Sequence, residues 1–136
     1  MNSINNVELI SLRAINDNRG SLLPIDFKDY FKSNISRLFI VNGAKDSIRG
    51  FHAHKELTQY LICLSGSCVV ICKDGSSQIK FLLNKQSEIL KIPKHIWAEQ
   101  HYKTSNTSLM VLCDSAFDEN DYIRDYNEYK EFMNNK

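Results

Sequence analysis

Short apolar runs recur about every ten residues along the chain, with turn residues between them, a pattern of strands rather than helices. Val7–Leu12 leads into the turn Asn16-Asp17-Asn18-Arg19-Gly20, and Ser21–Ile25 follows. Further strands are predicted over Arg37–Val41, Thr58–Ser65, Cys68–Lys73, Gln78–Leu83, Glu88–Ile92, Trp97–Tyr102 and Ser108–Asp114. Asp74-Gly75 reads as a two-residue hairpin turn. Only Asp26–Phe31 and Asp125–Met133 read as helix, the second more strongly. A set of roughly eight to eleven short strands with so little helix predicts a sandwich or barrel.

Leu38-Phe39-Ile40-Val41 and Val69-Val70-Ile71-Cys72 are apolar at every position. Strands of that kind are covered on both faces. In 136 residues the second layer can be another subunit, so a homodimer is expected. The length suits one domain over residues 1–136, with no linker and no repeat. With 43% hydrophobic and 24% charged residues the composition is that of a folded, soluble protein. A formal charge of +1 argues against bulk electrostatic binding of nucleic acid. No apolar run reaches the roughly 18 residues of a membrane span, and the first residues do not read as a signal peptide. Cys63, Cys68, Cys72 and Cys113 form no CxxC pair and lie in apolar runs, which predicts reduced, buried thiols and a cytoplasmic protein.

The candidate chemistry lies in Arg49-Gly50-Phe51-His52-Ala53-His54-Lys55. On a strand, His52 and His54 project from one face. Two adjacent imidazoles can bind a metal, or serve one small molecule as base and acid. After His54 come four residues, Gln59, six residues and Gly66. This spacing resembles the first motif of the cupin superfamily, with Gln59 where metal-binding members carry Glu. The second motif is echoed by Pro93-Lys94-His95-Ile96-Trp97-Ala98, where Ala98 stands at the place of a histidine ligand. Two imidazoles, an amide and a methyl group make a poor site for zinc or iron, so a metal-free site without cofactor is expected. A register slip that turned His95 inward would alter that.

Five strings narrow the resemblance: Arg19-Gly20-Ser21-Leu22, Arg49 to Lys55, Leu64 to Cys68, Trp97-Ala98-Glu99 and Asp118 to Tyr126. Together they resemble the sugar 3,4-ketoisomerases, small cupins acting on dTDP-4-keto-6-deoxyglucose. The resemblance implies an all-β double-stranded β-helix of jelly-roll type with a short C-terminal helix. It also implies a homodimer with N-terminal strand exchange, and a 3-keto product destined for an amino-deoxysugar of surface glycans. Departures are Phe39-Ile40 in place of a Tyr pair and Ala98 in place of a His.

Ketone migration needs a base, a proton shuttle for two oxygens and stabilisation of an enediolate. His52 and His54 suit the first two roles, with His54 favoured as base and His52 as orienting or shuttling group. Arg49 and Arg19 are candidate diphosphate clamps, the plain alternative being solvent-facing charges. Trp97 would stack on a ring or wall the sugar pocket, unless it is a core residue. Gln59 would point inward to a sugar hydroxyl or to His52. Glu99 is a weaker candidate for orienting an imidazole, and Lys55 reads as surface charge. The Arg19-Gly20 pair resembles the galacto-forming branch more than the gluco-forming one. The alternatives are a nucleotide-sugar 3,5-epimerase, disfavoured because no inward Asp is evident beside the histidines, a non-catalytic sugar-sensing cupin, and an iron or manganese dioxygenase.

Overall fold

The structure is a computed structural model, and it describes residues 1–135. Most predicted strands form within a residue or two of their expected bounds. In chain order they are β1 (Glu8–Ser11), β2 (Ile15–Asp17), β3 (Gly20–Leu22), β4 (Arg37–Gly43), β5 (Ile48–His54) and β6 (Gln59–Ser65). Then come β7 (Cys68–Lys73), β8 (Gln78–Leu83), β9 (Glu88–Ile92), β10 (Trp97–Tyr102), β11 (Thr107–Cys113) and the two-residue β12 (Tyr122–Ile123). The α-helices are α1 (Phe27–Tyr30) and α2 (Tyr126–Asn134), and single 3-10 turns lie at Ile4–Asn6 and Glu119–Asp121. Asp125 caps α2 by accepting the Glu128 N–H at 3.0 Å.

Two antiparallel sheets, ordered β1-β9-β6-β11-β4 and β12-β5-β10-β7-β8, build the jelly roll. Their inner faces supply one core: Leu61, Cys63, Leu90, Leu109 and Val111 from the first, Val70, Cys72, Leu83, Ala98 and Tyr102 from the second. Alternation places these side chains together, because every second residue of a strand points to the same face.

The second layer comes largely from the chain itself. Leu12, Phe31, Leu23 and Ile25 cover Tyr60, Ile62, Ile89 and Leu112 on the outside of the first sheet. On the outside of the second, Tyr129 of α2 packs on Ala53, Trp97 and Ile123. Within the single chain, β4 is covered on one face only, and Leu38 and Ile40 of its other face are each 51% exposed. At β7, Val69 and Ile71 are half-buried.

One other expectation changes. The β7–β8 connection is four residues, not two, because Asp74 accepts hydrogen bonds from Ser76 N and Ser77 N and also ties down Ile4 N. The N-terminal strand β1 pairs with β9 of the same chain, while β2 and β3 form a separate two-stranded ribbon. All four cysteines are buried and free, and burial pushes Cys68 and Cys72 up to about 12, so these thiols stay protonated at neutral pH.

Candidate active site

β5 does not run straight. Its partner β10 pairs Ala98 with His52 and Glu99 with Gly50, so Phe51 is an extra residue without a partner. Gly50 has φ +94° and Phe51 φ +55°, the left-handed conformation that such a bulge uses. A Cβ on Gly50 would lie 2.8 Å from the Ala98 carbonyl oxygen, so glycine is needed here twice over. The bulge changes parity. Arg49 and His52 are three apart and would face opposite ways on a regular strand. Here Arg49 pairs with Gln100 and His52 with Ala98, and Ala98 and Gln100 share the inner face. Arg49 therefore joins the histidines, and its charge is felt at the buried Tyr102 hydroxyl.

His52 and His54 stand edge to face with ring centroids 5.0 Å apart. The Tyr122 ring packs on both, at 5.0 Å from His52 and 4.4 Å from His54. His52 Nδ1 lies 3.0 Å from the Gly50 carbonyl, which only accepts, so Nδ1 carries the proton. Its Nε2 is left with a lone pair and no hydrogen-bond partner among the described residues. His54 is engaged at both nitrogens: Nδ1 lies 2.9 Å from Asp121 Oδ2 and Nε2 lies 3.2 Å from Gln59 Nε2.

Burial, and then the neighbouring His54, lower His52 to about 4. Burial also lowers His54, opposed by the hydrogen bond and charge of Asp121. Both imidazoles are neutral at pH 7, able to accept a proton.

Gln59 is 5% exposed and points inward as expected, but its contact is His54. That amide takes up the Nε2 of His54. Among the described residues no group of three His, Cys, Asp or Glu side chains converges as a metal-ligand set. His95 stays away from the pair: its Nε2 donates to the Lys55 carbonyl at 3.0 Å and its ring meets Phe132.

Trp97 corrects the placement expected from the motif. It lies on the outer face of β10, 3% exposed, against Tyr126 and Tyr129 of α2, with Nε1 donating to Glu99 at 3.0 Å. Its neighbour Ala53 points oppositely to His52 and His54, so the structure does not bring Trp97 to the histidines. Glu99 shares that outer face and pairs with Lys73 at 3.3 Å; it orients no imidazole of the pair. Arg19 sits at the tip of the β2–β3 ribbon, bound to Asp17 at 2.6 Å. Within one chain it joins none of the other candidates.

Asp121 and Tyr122 were missed as functional residues. Asp121 meets His54 across 67 positions. The only trace in the sequence is that both fall in the string Asp118 to Tyr126. The expectation that no Asp stands beside the histidines is thus overturned. Arg124 completes this segment, with its guanidinium 4.2 Å from the Tyr122 ring and paired to Glu119 at 2.7 Å.

Comparison with known proteins places this arrangement. The family described as FdtA: WxcM-like, C-terminal matches residues 5–134. The chain belongs to this family. It is 37% identical over 127 residues to the TDP-4-oxo-6-deoxy-alpha-D-glucose-3,4-oxoisomerase of Aneurinibacillus thermoaerophilus, covering 93% of this chain and 91% of that one. A 3,4-ketoisomerase from Helicobacter canadensis superposes with a TM-score of 0.90 at 35% identity, covering 95% and 98% of the two chains. The sugar 3,4-ketoisomerase QdtA from Thermoanaerobacterium thermosaccharolyticum, solved with TDP, gives 0.90 at 37% identity over 96% of each chain. A mutant of QdtA has been solved with TDP-4-keto-6-deoxyglucose; it gives 0.91 at 36% identity over 96% of each chain. These relatives are sugar 3,4-ketoisomerases, and the jelly-roll fold expected from the sequence is theirs.

Proposed function

We propose that the protein moves the ketone of dTDP-4-keto-6-deoxy-D-glucose from C4 to C3 through an enediol. The observation that carries the reading is the neutral pair His52–His54, with one free ring nitrogen, set inside a fold shared with enzymes of that activity. A base removes the proton at C3 while the C4 oxygen gains one, giving the enediol. The C3 hydroxyl then loses its proton and C4 receives one. No electron leaves the substrate, so no redox partner is required.

His52 is the base in this reading, which reverses the preference the sequence suggested. What supports it is the lone pair on Nε2, presented by a ring whose Nδ1 is pinned to the Gly50 carbonyl. His54 has neither nitrogen free. The low proton affinity of His52 keeps it unprotonated, at the expense of strength as a base. Arg49, turned to the same face by the bulge, binds the diphosphate. With Asp121 beside His54, a missing Asp no longer counts against a 3,5-epimerase; family membership favours the ketoisomerase.

The working form is a homodimer in which the β2–β3 ribbon is exchanged. Supporting this, Ile15 and Leu22 of the ribbon are 56% and 63% exposed, and Leu38 and Ile40 of β4 are bare as well. Exchange of the ribbon would carry Arg19 toward a second protomer's site, where it acts as the other diphosphate clamp. The protein works in the cytoplasm, consistent with four free thiols, and no helix among the described residues is long and apolar enough to cross a membrane. The 3-keto product serves to make a 3-amino-3,6-dideoxyhexose for surface glycans. Incubation with dTDP-4-keto-6-deoxyglucose followed by proton NMR tests the reading. A ketone at C3 supports it and reads out the C4 configuration, with the galacto product expected; inversion at C3 and C5 means an epimerase, and unchanged sugar a binding module.

A further inference from the structure

Asp121 and Gln59 hold the two ring nitrogens of His54 from opposite sides, and neither belongs to the strand that carries the histidines. A carboxylate only accepts, so the 2.9 Å contact requires the proton on Nδ1 of His54. The Gln59 amide nitrogen only donates, so the 3.2 Å contact requires the lone pair on Nε2. The two contacts independently demand the same tautomer. Asp121 is itself fixed: its other oxygen accepts the Glu56 N–H at 2.8 Å, and its carbonyl accepts the Lys55 N–H at 3.0 Å. The next residue, Tyr122, lays its ring on both imidazoles. Residues 121 and 122 together thus set the orientation of a pair that lies on another strand.

We propose that Asp121 is a positioning residue, acting through His54: it locks that ring as the Nδ1–H tautomer and so holds the two imidazoles in unlike states, His52 with a free nitrogen and His54 with none. The unlike states give each ring one task. The Nε2 of His52 stays free, and the tied His54 ring presents a fixed wall and charge distribution beside it. The proposal rests on the ketoisomerase reading for its consequence in turnover, and on geometry alone for the tautomer.

Asp121→Asn separates these parts. Its carbonyl oxygen can keep the Glu56 N–H, which turns the amide nitrogen, a donor, toward Nδ1. The proton of His54 is then forced to Nε2, and the Gln59 amide must turn over to meet it. Removal of a carboxylate partner in this way leaves shape intact while imposing the wrong tautomer. Nitrogen-15 NMR of histidine-labelled wild-type protein is expected to show Nδ1 of His54 protonated at pH 7, and Asp121→Asn is expected to show Nε2 protonated. Turnover of dTDP-4-keto-6-deoxyglucose by Asp121→Asn should fall at least about thirtyfold in kcat, with KM within about threefold. Asp121→Glu should recover part of the loss together with the Nδ1–H signal. Wild-type protein with the proton on Nε2 overturns the proposal without any variant being made, so it stays falsifiable should Asp121→Asn not fold. A tautomer switch that leaves kcat within threefold of wild type also overturns it. Wild-type protein that shows the Nδ1–H signal but converts no nucleotide sugar supports the lock and overturns the ketoisomerase reading instead.

Discussion

Strands β5 and β10 carry two unlike faces built from alternate residues of the same short segments. Inward stand His52, His54, Ala98 and Gln100; outward stand Ala53, Trp97, Glu99 and His101. The inner face is polar, ringed by Tyr122 and Asp121, and its imidazoles are held neutral by burial. The outer face is a small aromatic core closed by α2, whose Tyr129 hydroxyl lies 2.6 Å from the His95 carbonyl and 3.0 Å from that of Lys73. Neighbours in sequence here serve opposite faces of one sheet. Trp97 and Ala98 are adjacent, yet one anchors a helix and the other backs the histidine pair.

The largest effect is expected from removing the imidazole proposed as base. His52→Asn should lower kcat by two to four orders of magnitude while the thermal midpoint moves little, as loss of a general base costs about 10²–10⁴. Steady-state kinetics beside calorimetry would show it, and a variant keeping a tenth of wild-type kcat would remove His52 from the role of base.

Trp97→Ala should do the reverse. Emptying that aromatic site costs about 3–5 kcal/mol of stability, readable from urea unfolding. Trp97→Phe, which keeps most of the packing, should leave KM for the sugar within about twofold. A tenfold rise in KM would return Trp97 to the substrate.

Acid also reaches the inner face. His52 titrates near 6.5 unfolded and about 4 folded, so between these values the unfolded chain holds more protons. Stability must therefore fall as pH drops from above 6.5 toward 4, by up to about 3 kcal/mol, and change no further from this group below that. His52→Asn should flatten this part of the stability–pH curve; an unchanged slope in the variant would assign the loss to other groups.

The smallest effect is expected at Arg49. Loss of a charge-assisted pair is worth about 1.5–3 kcal/mol, so Arg49→Ala should raise KM about ten- to hundredfold with kcat nearly intact. A KM within twofold of wild type would mean that the bulge does not deliver Arg49 to the diphosphate.

Sequence alone specified the strands, the small helix content, the pairing of His52 with His54 and the inward amide of Gln59. These follow from local periodicity: residues two apart share a face wherever the strand is regular. The family was legible too, because its strings include residues that pack or turn at fixed offsets. Tertiary structure alone decided three things. The bulge at Gly50-Phe51 put Arg49 on the histidines' face, and a parity change depends on the partner strand's register. The docking of α2 took Trp97 for the core. Chain return after β11 carried Asp121 and Tyr122 onto the imidazoles, a contact made across 67 residues by the path of the backbone, which no local pattern encodes.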